Sequence, residues 1–351
     1  MSQPPTPKPA PPAPPRLPQP RTPDPTEAPP LGWGILGTGG IAGSMARALR
    51  AHTRQRLVAV ASRSAKRGNA FAAEHDIPTA HVGTEQLLAD DEVDVVYIAS
   101  PHSEHYRQAM DAIAAGKHLL VEKAFTQTAE QAVEIAQFAA ASDVTVLEAM
   151  WPRFLPRFDV LRQLLETGAL GELQVVIADH GQYFDPDPAH RLFAPELAGG
   201  ALLDLGVYPV SLASMVLGTP AAVHAFGSRA FTGVDGQVSL VLDAGAQHPG
   251  AQAVLNTTLL AKTPTTASIS GTVARVELPG PFYAPGVLTY IHRDGTTLQT
   301  DPPTITDGGL AYEAAHLAQL VADGVRQSPL LPLQETVAIM RTLDTAAAQL
   351  G

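Results

Sequence analysis

The chain contains no cysteine, which excludes disulfides, thiol nucleophiles and cysteine-type zinc sites while leaving the compartment open. No stretch approaches the roughly 18 uninterrupted apolar residues of a membrane span. The N-terminus shows neither the apolar segment of a secretory signal nor a twin-arginine pair, so cytoplasmic residence is expected. Charged residues are only 16% of the 351, with a net charge of −11. No basic run is longer than the turn around Arg63, Lys66 and Arg67, so neither nucleic acid nor an anionic membrane is expected as a partner. The twelve histidines are scattered without a convincing ligand set, and no metal is expected.

What is present divides unevenly. Residues 1–30 hold fourteen of the chain's 32 prolines and almost no large apolar side chains, so a disordered or polyproline-like tail is expected. The alternative is an arm that packs on a partner subunit. From Leu31 the pattern alternates strand and helix. Helices are expected over 65–75, 104–115 and 128–141, and strands at 80–82, 95–99, 118–121 and 144–147. Such alternation implies a doubly wound parallel sheet over residues 31–150.

After Trp151 the pattern changes. Helices are expected near 158–166 and 202–217, and a strand near 173–178. Strands then follow one another at 222–229, 238–242, 253–260, 267–271 and 275–278. Strands in succession imply a largely antiparallel sheet, and helices near 310–324 and 333–350 close the chain. The expected fold is α/β: a Rossmann domain, then an α+β domain over 151–351 with a largely antiparallel open sheet. The closing helices could return to the first domain, and the site would lie in the cleft between the two.

The segment Gly37-Thr38-Gly39-Gly40-Ile41-Ala42 follows the apolar run Gly34-Ile35-Leu36. Gly37 suits a tight turn, Gly39 lets the backbone approach a pyrophosphate, and Ala42 keeps the following helix close to the sheet. Ile41, Met45, Ala48 and Leu49 give that helix one apolar face, and its free N-terminal amides suit phosphate. The second strand, Leu57–Ala61, runs into Ser62-Arg63, where an NAD site places a carboxylate for the ribose 2′-hydroxyl. A hydroxyl and a guanidinium, with Lys66 and Arg67 following, suit a 2′-phosphate instead. NADP is therefore expected over NAD.

Glu122-Lys123 ends a parallel strand on the edge where such sheets bind ligands. Asp204 and Tyr208 are four residues apart and share a helix face; both interrupt an apolar run, where burial without partners is costly. A surface lysine, a capping aspartate and a core tyrosine are the bland alternatives.

Taken with Trp33–Ala42, Ala61–Ser64, Tyr97–His102 with His105, and Glu122-Lys123, the stretch Asp204–Tyr208 makes the chain resemble the glucose–fructose oxidoreductase/inositol dehydrogenase/rhizopine-catabolism (Gfo/Idh/MocA) family. Glu148–Pro156 and His190–Phe193 are similar to its branch of dimeric dihydrodiol dehydrogenases and NADP-dependent aldose dehydrogenases. The resemblance runs from residue 31 to the end. It implies that Lys123 lies between nicotinamide and substrate, that Tyr208 is the acid/base, and that Asp204 orients substrate or Lys123. It implies that Ser62 and Arg63 hold the 2′-phosphate and that Ser100, Pro101 and His102 line the nicotinamide-ribose region with His105 in support. It also implies a homodimer or higher homo-oligomer through the C-terminal sheet. Ala124 departs from the proline of the family's Glu-Lys-Pro motif and relaxes the backbone restriction on Lys123. His180 and Pro152 have no counterpart in this reading.

Oxidising a carbinol requires removal of the hydroxyl proton. A free tyrosine has a pKa of about 10, which the Lys123 ammonium is expected to lower, leaving Tyr208 as base and Lys123 to stabilise the developing negative oxygen. Trp151 and Phe154 offer flat apolar faces to a substrate ring, and Arg153 and Arg191 offer hydrogen bonds. The expected activity is NADP-dependent oxidation of a cyclic sugar or polyol, an aldopyranose such as D-xylose or D-glucose oxidised at C1 to the lactone. Alternatives are a trans-dihydrodiol substrate, an enzyme that keeps NADP bound and shuttles hydride between two sugars, and a non-catalytic NADP-binding sensor or corepressor.

Overall fold

The computed structural model describes residues 13, 14 and 16–351. The first half is built on β1 (Gly32–Leu36), α1 (Gly40–His52), β2 (Arg56–Ser62), α2 (Ala65–Glu74), β3 (Thr79–Val82), α3 (Thr84–Leu88), β4 (Val95–Ile98), α4 (His102–Ala114), β5 (His118–Glu122), α5 (Ala129–Ala140) and β6 (Val146–Ala149). The six strands form one parallel sheet in the order β3-β2-β1-β4-β5-β6. β1 and β4 are buried at every position, as strands covered by helices on both faces must be. The order reverses beside β1, so the crevice beyond the ends of β1 and β4 is the place for a ligand.

The last strand of this sheet lies two residues beyond the expected 144–147. Leu119 pairs with Val146, and the ladder runs on to Glu122 opposite Ala149. Glu148 reads as polar in sequence, but its carboxylate is buried and accepts from Thr336 Oγ1 at 2.9 Å, so the strand continues through it.

The second half contains α6 (Pro156–Glu166), β7 (Leu173–Gly181), α7 (Val207–Leu217), β8 (Ala222–Arg229), β9 (Asp235–Asp243), β10 (Gln252–Thr258), β11 (Ala267–Gly271), β12 (Ala274–Leu278), β13 (Thr289–His292), β14 (Thr297–Gln299), α8 (Leu310–Ala322) and α9 (Leu333–Ala347). Its eight strands lie in the order β14-β13-β12-β11-β7-β10-β9-β8. All neighbours are antiparallel except β7 and β10, which run parallel with Ile177 opposite Val254. The short strands β13 and β14 escape the hydrophobic pattern because they are polar and meet across the turn at Asp294-Gly295. Burial alternates strictly along β9, the signature of a sheet with one covered and one open face. α7 packs on β7 and β10, and α9 on β8. α8 and α9 also reach back onto α1 and α5, tying the two sheets into one body.

The segment Pro195–Leu217 is long and apolar enough by composition to cross a membrane, contrary to the expectation that no stretch comes close. It is almost entirely buried inside the protein, where it serves as the central core segment of the second half.

The expected disordered tail is corrected over residues 16–30; residues 1–12 and 15 lie outside the described residues. Leu17 is buried in the main core, and Ala28 packs against Ala315 and Ala318 of α8. Arg21 donates its backbone N–H to Asp159 Oδ2 at 2.6 Å and its guanidinium to Asp159 at 2.8 Å and Glu166 at 3.0 Å. A proline-rich strap needs few backbone partners, since proline carries no N–H, so a few well-placed side chains suffice to hold it. Leu17→Ala should lower unfolding free energy by about 2 kcal/mol in a denaturant titration; a loose tail would give no change.

Candidate active site

The crevice beyond β1 and β4 opens into a cleft of about 690 Å3. At its floor Gly37 has φ +119°, and a Cβ there would stand 2.5 Å from the Ala99 carbonyl oxygen, so only glycine makes this turn. A Cβ on Gly39 or Gly40 would meet nothing within 4 Å: both face open space at the head of α1, where the first amides have no side-chain cap. Thr38 lines the same mouth. Ile41, expected on the apolar face of α1, is instead 40% exposed at the cleft, whereas Met45, Ala48 and Leu49 are buried. Ala42 is fully buried beneath the turn and packs α1 on the sheet rather than lining the cleft.

Ser62, Arg63 and Arg67 line the far end. Ser62 Oγ accepts the Ser64 N–H at 3.3 Å, while Arg63 and Arg67 form no ion pair among the described residues. On the opposite wall Ser100 Oγ donates to Gln108 at 2.7 Å and Pro101 caps α4. His102 sets its two ring nitrogens 3.2 Å from the carbonyls of Ala198 and Lys123. His105 is wholly buried against the carbonyls of Ala124 and Ser100. Burial above all depresses both histidines, His105 to about 4, so each is a neutral ring that donates to one of its two carbonyls. These features fit a dinucleotide: bare amides for a pyrophosphate and two unpaired guanidinium groups where a 2′-phosphate would lie.

At the end of β5, Glu122 accepts from the Tyr97 hydroxyl and from the Lys123 N–H. Its burial raises its pKa, against the pull of Lys123. The Lys123 ammonium donates to the Asp204 carbonyl oxygen at 2.9 Å and lies 3.4 Å from Asp204 Oδ1. Asp204 belongs to a wide π turn, Leu202–Gly206, that leads into α7. Arg191 adds a bond to Asp204 Oδ1 at 2.9 Å. Burial alone would raise Asp204, but the charges of Lys123 and Arg191 outweigh it and hold the carboxyl far below the usual range. The Lys123 ammonium is therefore aimed by Asp204.

Tyr208, one α7 residue in, faces the same space. Its hydroxyl accepts the Trp151 indole N–H at 3.0 Å, and the Lys123 ammonium sits 5.1 Å from its ring centre. The expected lowering of its pKa by Lys123 does not occur in this arrangement. Burial and then the charge of Glu122 push the phenol well up, with only the Trp151 N–H opposing, because the ammonium lies over the ring and is engaged by Asp204.

Tyr283, which the sequence does not single out, and His180, which has no counterpart in the sequence reading, complete this wall. Tyr283 stacks on Tyr208 at 4.5 Å between ring centres, and His180 lies 5.3 Å from Tyr208 and 4.6 Å from Tyr283. Gln182 donates towards both His180 and the Tyr283 hydroxyl. Tyr283 comes from an irregular stretch with no periodicity to single it out, while a histidine in the apolar strand β7 was visible but unexplained. Thr84, Arg107 and Gln108 also line the dinucleotide end; only a three-dimensional neighbourhood reveals them.

Arg153 and Phe154, expected at the substrate, are not brought to the cleft. Arg153 is buried against Ser211 and Glu335, and Phe154 packs on His316. Trp151–Phe154 is a single 3₁₀ turn, opened by Pro152 at its second position. Only Trp151 of that turn reaches the site; the periodicity of a string cannot say which side of so short a turn faces the ligand.

A model of an oxidoreductase family with an NAD-binding Rossmann fold matches residues 31–150, and the GFO/IDH/MocA C-terminal domain matches residues 158–277. The chain belongs to the GFO/IDH/MocA family. Relatives named trans-1,2-dihydrobenzene-1,2-diol dehydrogenase include that of Xenopus tropicalis, 33% identical over 91% of this chain and 98% of its own. The human protein of that name is 34% identical over 92% and 97%. Among solved structures, a levoglucosan dehydrogenase in complex with NADH and levoglucosan superposes with a TM-score of 0.82 at 20% identity, covering 92% of this chain and 97% of its own. A 3-ketoreductase from Actinomadura kijaniata with NADP and TDP-benzene gives 0.79 at 24%, covering 92% and 98%; both likenesses are of fold. This member of the family is an NAD(P)-dependent oxidoreductase.

Proposed function

We propose that this enzyme is an NADP-dependent dehydrogenase of cyclic vicinal diols, with trans-dihydrodiols as the first substrate class. The observation that carries this reading is the Tyr208 hydroxyl, held by Trp151 within a wall of Trp151, Tyr283 and His180 beside the Lys123–Asp204–Arg191 charge cluster. Flat aromatic faces suit a planar, partly unsaturated ring, and the full-length relatives named for that activity support it. The exposed Arg191 head beside Asp204 favours a second reading, an aldopyranose oxidised at C1 to the lactone, since an edge of charged donors and acceptors suits a hydroxylated ring.

Gly39, Gly40 and the head of α1 would take the pyrophosphate, Arg63 and Arg67 the 2′-phosphate, and Pro101 and His102 the nicotinamide side. The nicotinamide, when bound, supplies the hydride acceptor or donor. Tyr208 holds the proton that moves: it accepts it from the carbinol in oxidation and returns it in reduction. Lys123 stabilises the substrate oxygen as negative charge develops, and Asp204 keeps the ammonium aimed. The aromatic wall keeps water from the reacting carbon.

The open face of the eight-stranded sheet carries a cross-strand row of exposed apolar side chains, Ile177, Val254 and Val241, with Phe226 beside it 82% exposed. Such a patch is a binding surface, and we assign it to a second copy of the chain. Light scattering should give twice the 36.8 kDa chain mass, and Val254→Asp should return the monomer.

Tyr208→Phe should lower turnover on the order of 10²–10⁴-fold with NADP affinity unchanged; a small loss contradicts the acid/base role. Oxidation needs the phenolate, so its rate should climb as pH rises towards alkaline values. Reduction needs the phenol, so its rate should fall over the same range. Arg63→Ala should weaken NADP on the order of tenfold or more, the loss of one charge-assisted contact, and leave NAD nearly unaffected. Equal effects on the two cofactors would remove the 2′-phosphate assignment.

A further inference from the structure

Arg157, in the first turn of α6, is only 4% exposed, and no carboxylate lies within ion-pair distance among the described residues. A buried, unpaired guanidinium is costly, and burial alone pulls this one down to about 10. Its bonds all go to one segment. Nη1 donates to the Val287 carbonyl at 3.2 Å, and Nη2 donates to the carbonyls of Pro281, at 3.1 Å, and Phe282. The fork thus grips residues 281–282 and residue 287 together. A Cβ on Gly286 would come within 2.5 Å of Nη1, so glycine is needed there for the guanidinium to come so close. Phe282 is buried, and its N–H donates to the Thr265 carbonyl at 2.9 Å. Between the gripped ends, Tyr283 lies on the ring of Tyr208, 4.5 Å between centres and 25° between planes.

We infer that Arg157 is a positioning residue for the reaction: by clamping both ends of segment 281–287 it fixes Tyr283 against Tyr208, and so sets the plane and surroundings of the acid/base. This inference rests on Tyr208 having that role. Arginine is required because its planar fork reaches carbonyls in two directions at once; a lysine ammonium on a flexible stem holds one end and releases the other. The charge is tolerated in the interior because the three carbonyl dipoles solvate it.

A double-mutant cycle tests this. Arg157→Lys and Gly286→Ala, which displaces the guanidinium but keeps its charge, are each made in the wild type and in Tyr283→Leu. Turnover is followed with NADP+ and trans-1,2-dihydrobenzene-1,2-diol, and folding by circular dichroism. Each variant should lower kcat on the order of tenfold in the wild type with NADP affinity unchanged, and change it less than about twofold in Tyr283→Leu. In an alkaline titration read from tryptophan fluorescence, the midpoint of the step that is absent in Tyr208→Phe, through the Trp151–Tyr208 contact, should move in both variants; this readout needs no turnover. The same loss in both backgrounds, or an unmoved midpoint and kcat, would overturn the inference. If Arg157→Lys does not fold, Gly286→Ala decides alone. The two claims separate cleanly: an active Tyr208→Phe enzyme defeats the acid/base assignment, whereas an inactive one with an additive cycle defeats only the role of Arg157.

Discussion

The buried contact between Lys123 and Asp204 is the constraint on which the site depends. Lys123 ends a strand of the parallel sheet, and Asp204 lies in the π turn that heads the core helix of the second half. Neither charge could be buried alone. Together with Arg191 they satisfy one another, and the lysine also donates to the Asp204 carbonyl. One interaction therefore joins the two halves, fixes the ammonium and places Tyr208 a single helical turn away. The glycine turn fixes the other end of the cleft, so the position of Tyr208 relative to that turn follows from this bond.

The tyrosine is held in a way that bears on direction. Burial and Glu122 keep it a phenol, a ready proton donor at neutral pH. The buried carboxyls Glu148 and Glu313 are similarly pushed towards their neutral forms: Glu148 to about 7, and Glu313, fully buried with no partner for either oxygen among the described residues, well above its usual value, by burial first in each case. For such groups the folded state binds the proton more tightly, so stability falls as pH rises above the ordinary glutamate range and stops falling once the folded pKa is passed, near pH 7 for Glu148. Lys123, Arg191 and Asp204 form the ion-paired cluster at the site, with the Glu122 carboxylate beside them.

Much of this was legible in the sequence. The alternation of buried strands and amphipathic helices yields the parallel sheet because its central strands are covered on both faces, and the glycine turn, Arg63, Lys123, Asp204 and Tyr208 all converge on one cleft. What escaped did so for physical reasons. Tyr283 and His180 contribute through ring stacking across distant segments, which leaves no period. Arg153 and Trp151 are two residues apart on one 3₁₀ turn, yet one is sealed in the core and the other reaches the Tyr208 hydroxyl. Composition predicted a loose tail from its prolines, but Leu17, Arg21 and Ala28 are enough to fasten residues 16–30. The direction of the Tyr208 shift depended on where the ammonium came to rest, over the ring rather than at the hydroxyl.

The most direct test of the account is an NADPH absorbance assay on the purified enzyme, with NADP+ and then NAD+, against trans-dihydrodiols, aldopyranoses and inositols. The account predicts NADPH formation with a cyclic vicinal diol, faster with NADP+ than with NAD+. Silence across the panel from a folded protein that binds and releases NADP freely would contradict it.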